Sequence, residues 1–208
     1  GDRGVLTDMS DRIQWTAGYV VAWVEDEDFK RKSRKRILDA VRENQPDIIL
    51  AHSLGSMITY DAFSHEDARE VEVRRILESA RYVTLGSQIG NPFVVSNLTN
   101  GRIQPLDVKF WHHLYNREDD VFTAEIRLWE AVNFRQTDTP FDDEGFADHS
   151  AESYLGHRAT IENVWRPIVG LTMAGTPQKY QETPGTVLAW PGCGAVRAAV
   201  GSSAQFHP

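Results

Sequence analysis

A serine hydroxyl becomes an effective nucleophile when a neighbouring base takes its proton and a third group orients that base. Ser53 stands where such chemistry is wanted. It occupies the middle of Ala51-His52-Ser53-Leu54-Gly55, between the apolar run Ile48-Ile49-Leu50-Ala51 and the segment Ser56-Met57-Ile58-Thr59-Tyr60-Asp61-Ala62-Phe63. The run predicts a parallel strand buried on both faces, and apolar residues at 57, 58, 62 and 63 predict a helix. A strand that turns straight into a helix through x-Ser-x-Gly strains the serine, so small residues must flank the turn. Gly55 meets that need, and Ala51 stands where a first glycine is usual. The helix start aims backbone N–H groups above Ser53, and that of Leu54 is a donor for a developing oxyanion. His52 is read as a side chain that shapes the substrate pocket. The plainer alternative is a serine that only caps the helix.

This segment resembles the nucleophile region of the α/β-hydrolase superfamily, in its lipase/esterase-like branch that carries His-Ser-Leu-Gly. The family order is serine, acid, histidine, each in a loop after a later strand. Trp111 to Val121 is similar to the family's aromatic-rich strand followed by Asp-x-Val. The resemblance thereby gives Asp119 the acid role, with Asp120 one residue away as the alternative; Asp107 precedes that strand, at the wrong end of the sheet. Asp148-His149-Ser150, followed by Tyr154-Leu155, resembles the histidine loop and gives His149 the base role. His157 competes with it but falls inside a predicted helix. His112 and His113 are neighbours on a strand, so one should face the core and the other outward, which argues against a shared metal. The resemblance covers roughly residues 33–169. It implies a serine hydrolase that cleaves a small-molecule or lipid ester through an acyl-enzyme, with no cofactor and no metal.

The elements that must position these groups alternate along the chain. Residues 10–24 have helical spacing rich in aromatics, read as a buried helix near the site or a lid over it. Acids at 25–28 open a further helix whose bases at 30–36 lie on its exposed face, with Ile37, Leu38 and Val41 inward. Ser64 to Ser79 is helical with Val71, Val73, Ile76 and Leu77 inside, and 81–87 is a strand ending in Gly-Ser-Gln-Ile-Gly. Residues 91–105 read as a mixed loop whose Val94-Val95 dock on the surface. Strands follow at 108–115 and 131–136, and a closing helix runs from Tyr154 to Val169. This alternation predicts an α/β fold: a mostly parallel sheet with flanking helices, α/β-hydrolase-like. Residues 1–171 form the domain, and the Pro- and Gly-rich 172–208 are an irregular tail or linker.

Composition narrows the classes. In 208 residues, 41% apolar and 25% charged, one domain with a full core is expected. A net charge of −8 argues against a general nucleic-acid binder. A single cysteine, Cys193, cannot form an internal disulfide. No run is long enough to span a membrane and no signal peptide is evident, so a cytoplasmic protein is expected. One departure from the family stands out. The strands that normally precede the elbow, with the loop supplying a second oxyanion donor, are not found before Asp47. The chain therefore reads as the C-terminal part of a larger hydrolase or a reduced form, with an exposed sheet edge open to self-association or further domains. The competing function is a non-catalytic hydrolase-like sensor or interaction module.

Overall fold

The computed structural model describes residues 18–119, 121, 123–128, 131–142 and 149–170, and the backbone of 186–187 and 199–200. A helix at 18–25 (α1) precedes α2 (Glu27–Asn44), β1 (Ile48–His52), α3 (Leu54–Ser64), a 3-10 turn (Glu66–Arg69), α4 (Val71–Ser79) and β2 (Arg81–Leu85). Then follow α5 (Pro92–Leu98), β3 (Phe110–Tyr115) and β4 (Phe134–Asp138). α6 (Ala151–Gly156) and α7 (Arg158–Thr160) lead through a π-helical turn (Ile161–Trp165) into α8 (Arg166–Ile168). Of the sequence beyond 170, only the antiparallel pair Thr186–Val187 and Ala199–Val200 belongs to the described residues. The expected irregular tail otherwise lies outside them, as do residues 1–17.

β1 to β4 form a four-stranded, all-parallel sheet in sequential order. The register aligns Ala51, Thr84, His113 and Gln136 across one face, and Leu50, Val83, His112 and Arg135 across the other. The first face carries the larger core, where Ala51, Tyr82, Trp111 and Phe134 meet residues of α1 to α5. On the second, Val83, Leu85 and Leu114 pack under Tyr154 and Val164. The class is therefore α/β, with helices covering both sides of a parallel sheet.

Several expectations need correction. β1 is not buried on both faces: among the described residues it is the edge strand, with Ile48 37% and Leu50 50% exposed. Val71 opens α4 and is 84% exposed, while Val73, Ile76 and Leu77 form the inner stripe. Two of the bases assigned to an outer face, Lys30 and Arg34, are buried. They lie on the helical stripe shared with Leu38 and Val41, and Arg34 reaches Asp61 of α3 at 3.1 Å. The stretch taken as a loop from 91 contains α5, because Asn91 caps Phe93 N–H and Pro92 occupies the first helical turn.

His112 and His113 are both buried, since β3 is an inner strand covered on both faces. His113 Nε2 donates to the Ala124 carbonyl (3.1 Å), so Nδ1 accepts from Thr84 (2.9 Å), whose oxygen also takes the Trp111 indole N–H (3.0 Å). Burial pushes each ring down to about 4, with Arg81 and Arg135 adding to the effect at His112. The unfolded chain protonates these rings near 6.5, so below that pH it binds protons the native state refuses. Stability is expected to fall as pH drops from 6.5 towards 4, and His112→Phe to flatten that fall. Urea midpoints at neutral and acid pH measure both.

Candidate functional site

Parallel strands deliver their following loops to one edge of the sheet, and there the sequence-derived groups gather. Ser53 follows β1 and extends its ladder by one bond, its N–H donating to Leu85 O at 3.1 Å. Its backbone then turns through φ 53°, ψ −132°, a conformation that costs a residue with a Cβ about 1–3 kcal/mol. The capping alternative fails on geometry, because the Ser53 side chain makes no capping hydrogen bond to α3. Leu54 opens that helix, where backbone N–H groups have no intrahelical acceptor. Under the turn, Ser56 Oγ donates to the Ser53 carbonyl and lies 2.6 Å from Ser87 Oγ.

Asp119 lies four residues past the end of β3 with its side chain fully enclosed. Three donors meet it: His149 Nδ1 at 2.8 Å from Oδ2, Tyr154 O–H at 2.7 Å from the same oxygen, and Val121 N–H at 2.9 Å from Oδ1. Because the carboxylate only accepts, Nδ1 of His149 carries a proton, and the neutral imidazole then presents a bare Nε2. That Nε2 is buried and has no hydrogen-bond partner among the described residues. Asp120 and Asp148 lie outside the described residues. His157 sits between α6 and α7, where its Nδ1 accepts from Ala159 N–H, which gives it a capping place.

His52 joins Ser53 to the histidine. Its Nε2 donates to the His149 carbonyl at 2.9 Å, and the two rings lie 4.6 Å apart. Burial, then the neighbouring His149, hold its pKa below the ordinary imidazole value. Its bond is therefore to the histidine segment, a role not read from the sequence. Gly86, at the end of β2, was not singled out either. With φ +52° it approaches both rings so closely that a Cβ would lie 2.9 Å from His149 Cε1 and 3.1 Å from His52 Nε2. Its sequence signal was its place in Gly-Ser-Gln-Ile-Gly after a strand; what the sequence does not display is the pair of imidazoles above it.

The structure thus brings Asp119, His149, His52 and Gly86 into contact and sets the strained Ser53 next to His52. Ser53 and His149 form no hydrogen bond with one another. A cavity of about 320 Å³ lined by Phe63, His65, Arg69 and Asp107 lies at the far end of α3 from Ser53. Among the described residues no three His, Cys, Asp or Glu side chains cluster as metal ligands, and no helix is long and apolar enough to cross a membrane. Set beside known proteins, the chain matches no family model, no curated protein and no solved structure.

Two substitutions test this geometry. Gly86→Ala is expected to destabilise the fold by about 1–3 kcal/mol, through its positive φ and the crowding of both rings. Ser53→Gly is expected to be more stable than Ser53→Ala by about 1 kcal/mol or more, since glycine alone relieves the strained turn. Denaturant unfolding reads both.

Proposed function

We propose that this chain is a serine hydrolase of the α/β-hydrolase type that cleaves a carboxylic ester, lipase/esterase-like, through Ser53, His149 and Asp119. The observation that carries the reading is the buried Asp119–His149 pair, whose proton placement leaves Nε2 bare. In this mechanism Nε2 takes the Ser53 proton as Oγ attacks the ester carbonyl carbon. The Leu54 N–H donates to the resulting oxyanion, and Asp119 stabilises the imidazolium. The imidazolium then protonates the departing alcohol, leaving an acyl-enzyme on Ser53. Water, deprotonated by Nε2, repeats the sequence and releases the acid. No cofactor enters these steps. An oxyanion-hole donor contributes roughly 3–4 kcal/mol, so a site with Leu54 as its one assigned donor turns over slowly.

A second reading, a hydrolase-like module without catalysis, is favoured by the absent Ser53–His149 bond and by the outer edge of β1, which pairs with no strand among the described residues. Hydrolysis of a short-chain nitrophenyl ester separates the two. The hydrolase reading expects turnover that falls about a hundredfold or more in Ser53→Ala. Equal inertness of folded wild type and variant would favour the module.

A further inference from the structure

Asp119 is held from two directions. The backbone of its own loop supplies the Val121 N–H, and the segment that carries His149 supplies both the imidazole and, five residues on, the Tyr154 hydroxyl. Tyr154 and His149 converge on the carboxylate oxygen Oδ2, with His149 Nδ1 also 3.1 Å from Oδ1. One stretch of chain, 149–154, thus grips the acid at two points. Tyr154 is itself firmly placed: it has no exposed surface, its ring meets Phe141 edge-on at 4.9 Å, and Thr160 Oγ1 donates to its carbonyl at 2.7 Å. A buried phenol needs a partner for its hydroxyl, and many acceptors would serve. The acceptor here is Asp119 Oδ2, the oxygen that His149 Nδ1 meets at 2.8 Å, with Thr123 and the Asn116 backbone also near the phenol oxygen.

From this geometry we propose that Tyr154 is a positioning residue: its hydroxyl fixes Asp119 Oδ2 so that His149 holds its proton on Nδ1 and leaves Nε2 free as an acceptor. The proposal rests on the hydrolase reading for its kinetic consequence, and on the hydrogen-bond geometry alone for its structural one. A hydroxyl bonded to a carboxylate is a charge-assisted contact, stronger than a bond between neutral groups. Without it Oδ2 loses one of its two fixed donors and the carboxylate gains freedom to rotate. Tyr154 touches no reacting atom, so its loss acts on the rate of the step and leaves ester affinity intact.

Tyr154→Phe removes the hydroxyl and keeps the ring against Phe141, and a thermal melt establishes that the variant is folded. In ester hydrolysis it is expected to lower kcat about tenfold with KM within about twofold. In an Asp119→Asn background the same substitution is expected to add less than about twofold, because the hydroxyl acts through the carboxylate. Equal losses in both backgrounds, or a change in KM alone, overturn the proposal. A second readout needs no turnover: the proton NMR signal of His149 Nδ1–H, identified by its loss in His149→Gln. It is expected to broaden in Tyr154→Phe as the proton exchanges faster with water, and an unchanged signal overturns the proposal. Should the folded wild-type chain hydrolyse no ester while Tyr154→Phe still broadens that signal, the hydrolase reading fails and the positioning role stands.

Discussion

A carboxylate sealed from solvent must be met by donors, and at Asp119 those donors come from separate parts of the chain. The Val121 N–H belongs to the turn after β3, while His149 and Tyr154 lie beyond β4. Satisfying the one buried group therefore ties the loop after β3 to the segment that begins the helical layer of the second sheet face. It also decides chemistry: a carboxylate that accepts from Nδ1 leaves Nε2 as the imidazole's free acceptor. Packing and proton placement at this point are the same interaction.

The sheet supplies the rest. Four parallel strands in sequential order send every crossover back to the same starting edge, so Ser53, Gly86, Asp119 and His149 all arise beyond strand C-terminal ends. Close approach there has structural costs. Ser53 adopts a backbone conformation suited to glycine, and Gly86 has to be a glycine to pass beneath two imidazoles. The strain at Ser53 is not offset by a side-chain cap on α3. That favours a role for the hydroxyl above the turn.

What was legible in the sequence was local. An apolar run, a small-residue turn and helical spacing together marked β1, the elbow and α3, and alternation marked the parallel sheet. The order of Ser53, Asp119 and His149 followed from the likeness to a known hydrolase pattern, which supplied spacing that single residues lack. What was not legible depends on distant partners. Nothing in Ile48-Ile49-Leu50 distinguishes an edge strand from a central one. Arg34 looks like a surface base until Asp61, 27 residues on, comes to face it. Asn91-Pro92 reads as a loop by composition, yet the same two residues are a helix cap and first turn. Tyr154 and Gly86 lie in segments the sequence marks, but the contacts of the phenol with Asp119 and of the glycine with two imidazoles depend on distant partners.

The central claim is that the bare Nε2 of His149 activates Ser53, and reaction of the folded chain with a fluorophosphonate tests it most directly. Intact-mass and peptide analysis should find one phosphonyl group on Ser53 in the wild-type chain. His149→Ala, equally folded, should remain unmodified under the same conditions. Labelling of Ser53 at the same rate in both proteins, or no labelling in either, would contradict the account.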